Sequence, residues 1–222
     1  MIELNNVTKI YDLGEVQVSA LDNVTFRCEK GEVVSIMGPS GSGKSTLMNI
    51  LGCLDRPTSG SYHLEGQDVS SFNDNQLAVI RNKKLGFVFQ SYNLLPKMTA
   101  LENVELPMVY AGKGHRREHA LEALESVGIG NRARHHPNEM SGGEQQRVAI
   151  ARCMINSPLI ILADEPTGNL DTKSSQNIMT LLLEQSQKGM TIIIVTHEED
   201  IAAYTQRTIY LRDGKIIEEK KR

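Results

Sequence analysis

Gly38-Pro39-Ser40-Gly41-Ser42-Gly43-Lys44-Ser45-Thr46 is the stretch of this sequence best suited to holding an anion. It follows an apolar run, Val33 to Met37, and opens a segment of helical character, Thr46 to Leu51. That is the context in which the pattern G-x-x-x-x-G-K-S cradles phosphates. The glycines let the backbone curl so that successive N–H groups turn inward on phosphate oxygens. The helix start adds a favourable dipole. Lys44 has the reach for β- and γ-phosphates, and the Ser45 hydroxyl can ligate Mg²⁺.

A second chemical feature is an apolar strand ending in two acids, Ile160-Ile161-Leu162-Ala163-Asp164-Glu165. A carboxylate at the C-terminal end of a buried strand stands where a phosphate-binding enzyme needs a Mg²⁺ ligand, and Asp164 fits that role. Glu165 points away from its neighbour along the strand and is the candidate for orienting or deprotonating an attacking water.

A third feature is Met140-Ser141-Gly142-Gly143-Glu144-Gln145-Gln146-Arg147, ahead of a helical run with Val148, Ala151 and Ile155. Ser141 and Glu144 form an S-x-x-E capping box. The two glycines inside it each cost about 1 kcal/mol relative to alanine in a helix interior. They suit close approach of backbone to a ligand, at a helix N-terminus that favours an anion.

The elements that must position these residues alternate. Short apolar runs at Val33 to Met37, Leu85 to Phe89, Leu159 to Ala163 and Thr191 to Thr196 predict buried strands. Segments of helical period lie between them, such as Glu118 to Val127 with Ala120, Leu121, Leu124 and Val127 on one face. The alternation predicts an α/β fold with a mainly parallel core sheet. Val24, Phe26 and Cys28 alternate with polar neighbours as a half-exposed antiparallel strand would. Near the C-terminus Thr208 to Leu211 and Lys215 to Glu219 flank Asp213-Gly214, a hairpin signal. One domain of 222 residues is expected, with residues 1–90 and 157–222 as a nucleotide-binding core and 91–156 as a helical subdomain.

On these motifs the sequence resembles an ABC-type ATPase over essentially its whole length. The P-loop comes first, then Gln90 after Leu85 to Phe89, then Ser141-Gly142-Gly143, Asp164-Glu165, Asn169-Leu170-Asp171, and His197 after Thr191 to Thr196. The resemblance implies a P-loop NTPase of ABC type with an N-terminal antiparallel β-subdomain, binding ATP and Mg²⁺. It implies that Gln90 contacts Mg²⁺ or the lytic water and senses a membrane partner. It implies that His197 hydrogen-bonds the γ-phosphate, that Asp171 communicates across a dimer, and that Tyr11 stacks on adenine. Two copies would pair head to tail, so that Ser141, Gly142 and Gly143 of one close on the ATP held by the other. The sequence departs from the family's pattern at Met140 and Glu144, where leucine and glutamine are usual. Glu144 adds a negative charge near a phosphate site, and activity is still expected because Lys44, Glu165 and His197 are present.

Ile36 to Leu47, Gly52-Cys53-Leu54-Asp55-Arg56-Pro57 and Ala163 to Asp171 are similar to one branch of that family. It comprises the ATPases of macrolide exporters, of lipoprotein-releasing systems and of a cell-division complex controlling wall hydrolases. The resemblance implies a separate integral membrane permease, with Leu94 to Val104 as its docking region, and either export or extraction, or a signalling role without transport.

The formal charge of −3 argues against a dedicated nucleic-acid binder. Cys28, Cys53 and Cys153 are too scattered for a disulfide framework or a zinc pattern and suit a reducing cytosol. No secretory signal pattern opens the sequence, and the apolar runs fall far below the roughly 20 residues that span a bilayer. A cytoplasmic chain is therefore expected, peripheral on the inner face of the plasma membrane through its partner and not itself inserted. His115-Arg116-Arg117-Glu118-His119 matches a zinc-protease pattern but reads as a solvated helix face. Arg132, Arg134, His135 and His136 read as a solvated loop, and the glycosylation sequons at Asn6 and Asn23 are irrelevant without a secretory signal.

Overall fold

The computed structural model describes residues 1–12, 14 and 16–222. In chain order the elements begin with β1 (Ile2–Asp12), β2 (Gln17–Cys28), β3 (Val33–Met37), α1 (Lys44–Leu51), β4 (Ser59–Leu64) and β5 (Gln67–Asp68). Then come α2 (Asp74–Lys84), β6 (Leu85–Phe89), α3 (Ala100–Tyr110), α4 (Arg116–Ser126), α5 (Gly142–Met154) and β7 (Ile160–Asp164). The last are α6 (Thr172–Gln187), β8 (Thr191–Val195), α7 (Glu199–Ala202), β9 (Arg207–Arg212) and β10 (Lys215–Lys221). Two compact units result, Met1–Arg81 with Thr191–Arg222, and Asn82–Met190.

The first unit holds two sheets. In the antiparallel one, ordered β2-β1-β4-β5, alternation puts Ile2, Leu4 and Val7 on the face that also buries Val24, Phe26 and Cys28. Asn6 and Asn23 sit where the β1–β2 register shifts, both with left-handed backbones (φ 50 and 52°) that asparagine tolerates well. The asparagines of the two sequons are thus bulge residues. In the other sheet β3 runs parallel between β8 and β9, with Val34 opposite Ile193 and Ile36 opposite Ile209. Strands β3 and β8 are buried along their whole length, and apart from Ser35 and Thr191 their residues are apolar. Buried Ser35 is satisfied by the hydroxyls of Thr205 and Thr208, each at 2.9 Å. The β9–β10 hairpin turns on Asp213 and Gly214, both at positive φ (47 and 76°), as the sequence predicted.

In the second unit β6 pairs in parallel with β7, Leu85 opposite Ile160 and Phe89 opposite Asp164. Helix α5 packs on β6 and against α3, α4 and α6. Gly86 allows it: a Cβ there would strike Sγ of Cys153 and come within 2.9 Å of its carbonyl. Three boundaries differ from expectation. The third predicted strand is shifted one residue and ends on Asp164 itself, and Thr196 lies beyond β8. Helix α4 starts at Arg116, and its buried stripe of Ala120 and Leu124 leaves Leu121 exposed, about 100° around the helix from Ala120. All three cysteines are buried and free. No helix among the described residues is long and apolar enough to cross a membrane.

Candidate functional site

In the first unit the loop after β3 is shaped by what surrounds it. Gly38 (φ 153°) lies against β9, where a Cβ would strike the Leu211 carbonyl. Gly43 (φ 102°) is the N-cap of α1, and a Cβ there would strike the carbonyl of Ala20 in β2. The Ser42 carbonyl accepts from the Gly214 N–H at 3.0 Å, tying the loop to the β9–β10 turn. Lys44 folds back across the loop, its Nζ donating to the carbonyls of Gly38 (2.7 Å) and Pro39 (2.8 Å). No side-chain hydrogen bond caps α1 and no acid stands in its first turn, an arrangement in which the helix N–H groups and dipole favour an added anion. Ser40, Gly41 and Ser45 are exposed, while Thr46 is half-buried.

Tyr11, on β1, reaches this helix. Its phenol is pushed above the usual value by burial and by its hydrogen bond to Asp55, while a hydrogen bond with Thr46 opposes the shift. The Tyr11 hydroxyl donates to Asp55 Oδ2 at 2.8 Å, and Lys9 Nζ stands 2.6 Å from Asp55 Oδ1 and 4.9 Å from the tyrosine ring centre. Burial alone would raise the Asp55 carboxyl, but Lys9, Tyr11 and the Arg56 N–H hold it below the usual range. The sequence alone assigns no site role to Lys9 or Asp55. His197 is exposed just after Thr196, whose hydroxyl accepts from the Glu198 N–H at 3.0 Å.

In the second unit Asp164 is the last residue of β7 and Glu165 follows with a left-handed backbone, φ 44°. The Gly168 N–H closes a turn on the Glu165 carbonyl at 3.1 Å. Gln90 lies over Gly168, where a Cβ would come within 2.7 Å of Gln90 Nε2. Asn169 Nδ2 donates to the Gln90 carbonyl at 2.9 Å and its Oδ1 stands 3.4 Å from Gln90 Nε2. Asp171 caps α6, accepting from the Ser174 N–H (3.0 Å) and hydroxyl (2.6 Å), and these bonds hold its carboxyl below the usual range. The structure therefore brings Gln90, Asn169 and the Glu165 turn together within this unit.

Ser141 caps α5 in the predicted box. Its N–H and hydroxyl donate to Glu144 Oε2 at 2.8 and 2.9 Å, and its Oγ accepts from the Glu144 N–H at 3.4 Å. Arg132 Nε binds the other Glu144 oxygen at 2.7 Å. Ser141, then Arg132, keep the Glu144 carboxyl below the usual range. Two expectations change. The added charge of Glu144 is answered by a guanidinium, and Arg132 is a partner of the box instead of a solvated loop residue. Gly143 packs near Ser174, and Gly142 lies under Tyr92, whose Oη would be 2.7 Å from a Cβ there.

Tyr92 and Asn93 are both left-handed (φ 60 and 48°). Such backbones cost about 1–3 kcal/mol each outside glycine and persist only where the surroundings fix them. Arg152, near the end of α5, donates to the carbonyls of Tyr92 (2.7 Å) and Asn93 (2.5 Å). Arg152→Ala is expected to lower stability by about 3 kcal/mol, from two charge-assisted bonds at the low end of about 1.5–3 kcal/mol each. Urea unfolding checks this, and an unchanged midpoint would rule the clamp out.

The ABC transporter family model matches residues 21–168. The uncharacterized ABC transporter ATP-binding protein YknY of Bacillus subtilis is 54% identical over 98% of this chain and 95% of its own. The macrolide export ATP-binding/permease protein MacB of Chlorobaculum tepidum is 54% identical over 100% of this chain, which spans 34% of that protein. A solved dimer of the ATP-binding cassette MJ0796 of Methanocaldococcus jannaschii, in a post-hydrolysis state bound to ADP and Pi, superposes with a TM-score of 0.93. It is 49% identical, covering 100% of this chain and 98% of that one. With the P-loop, the Ser141 box and the Asp164-Glu165 turn in that family's order, this chain belongs to the ABC transporter family as an ATP-binding subunit.

Proposed function

We propose that the chain is a Mg²⁺-dependent ATPase whose two copies pair head to tail around two ATP and drive a separate integral membrane permease, most simply in export or extraction. The observation that carries the ATP site is the uncapped N-terminus of α1, ringed by glycines with Lys44 across it. The loop N–H groups from Gly38 to Thr46, with Ser40, Gly41, Ser42 and Gly43, would hold the phosphates, and Lys44 would supply charge to the β- and γ-phosphoryl groups. Ser45, Gln90 and Asp164 are the hard oxygen donors that Mg²⁺ prefers. Glu165 takes the water's proton and His197 binds the γ-phosphate. Tyr11 stacks on adenine with the ring face opposite Lys9.

In this reading residues 1–90 and 157–222 form the core and 91–156 the helical arm carrying the signature, within one domain. Ser141, Gly142, Gly143 and Asp171 then act on the other copy's site. The subunit works on the cytoplasmic face of the membrane through its permease, with Leu94 to Val104 as the docking region. Half-exposed Leu95 supports this.

Mixing tests the shared sites. Ser141→Arg places a bulky cation at one signature, and Lys44→Ala disables one P-loop. Each variant alone is expected to be inactive. A mixed pair contains one composite site with neither change, so turnover is expected to return to a fraction of the parent's. A mixture as inactive as its components would remove the head-to-tail arrangement. Copurifying the permease and assaying vesicles for ATP-dependent movement of cargo separates transport from a signalling role.

A further inference from the structure

Helix α5 carries one wholly buried amide, Gln146, beside the apolar run Val148 to Ala151. Its Nε2 donates to the Pro166 carbonyl at 2.6 Å. Pro166 is the second residue of the turn that Gly168 closes on Glu165. Proline second and glycine fourth suit a type I turn, in which the second residue's carbonyl has no partner inside the turn. Gln146 supplies that partner from the signature helix.

The amide is a poor choice for packing alone. Gln146 Oε1 is buried without a hydrogen-bond partner among the described residues, as is Thr167 Oγ1 in the same turn. An unsatisfied buried acceptor costs about 1–3 kcal/mol, which methionine of similar volume would avoid. What the amide provides is direction, because it fixes the plane of the Pro166–Thr167 peptide. The residue just before Pro166 is Glu165, held left-handed at φ 44°. Such a conformation survives only where its neighbours over-determine it.

We propose that Gln146 is a positioning residue for Glu165, fastening the carboxylate turn to the signature helix so that the water-activating carboxylate is held in its working direction. This rests on the reading of Glu165 as the group that activates water. Gln146→Met removes the donor and keeps the volume. ATP turnover of the full chain is expected to fall about tenfold with ATP affinity unchanged. In a Glu165→Gln background, single-turnover hydrolysis is expected to change less than twofold, since the positioned carboxylate is already gone. Parent-like turnover in Gln146→Met, or the same tenfold loss in the Glu165→Gln background, would overturn the inference. If Gln146→Met fails to fold, Gln146→Leu, which also lacks the donor, is read in the same two backgrounds with the same outcomes. A parent whose turnover does not depend on Glu165 would overturn the underlying reading of that residue and the inference with it.

Discussion

Glu165→Gln is expected to lower ATP turnover about 10²- to 10⁴-fold, the range for removing a general base, while ATP affinity stays within about twofold. The substitution keeps the side chain's size and the turn that Gly168 closes on the Glu165 carbonyl, and removes only the basic oxygen. With hydrolysis blocked, Mg²⁺-ATP is expected to hold two copies together. Light scattering on a sizing column with and without Mg²⁺-ATP reads this directly. A shift from monomer to dimer supports sites shared between chains. A chain that binds ATP and stays monomeric would count against pairing by nucleotide alone and assign that pairing to the permease. Full turnover in the variant would remove Glu165 from the chemistry.

What the sequence disclosed follows from how local each cause is. The strands Val33–Met37 and Leu85–Phe89 were legible to the residue, because both consist of short runs bounded by turn residues. The P-loop was legible because its backbone demands glycine at fixed offsets, and the contacts at Gly38 and Gly43 supply the reason. The third strand lies one residue beyond the apolar run Leu159 to Ala163, because Asp164, though charged, pairs opposite Phe89. The left-handed pair Tyr92-Asn93 gave no signal, since neither residue is glycine and the clamp that fixes them comes from Arg152, far along the chain. The same holds for Lys9 with Asp55 and for Arg132 with Glu144, where each partner is ordinary until the fold supplies the other. In the sequence Gln146 is one polar residue among several, three positions after Gly143. Its burial, and the carbonyl it meets, belong to tertiary structure.

Lys44→Ala is expected to weaken ATP binding about 10²-fold, measured by titration calorimetry with Mg²⁺-ATP. The figure is what one to two charge-assisted hydrogen bonds contribute when their cation is removed from an anion site, at about 1.5–3 kcal/mol each. Two effects must be told apart here, because Lys44 also bridges the Gly38 and Pro39 carbonyls across the loop. If the lysine serves mainly to hold the loop, Lys44→Ala should lower thermal stability and its ATP defect should shrink in a stabilising osmolyte. If it serves mainly as charge, stability should change little, because Pro39 is exposed and its carbonyl can turn to water. The affinity loss should then fall with rising salt, as screening removes from the parent what the variant already lacks. The uncapped start of α1 favours the second outcome, since its N–H groups preserve the cradle without Lys44. Unchanged affinity in Lys44→Ala at low salt would take the lysine out of the phosphate site.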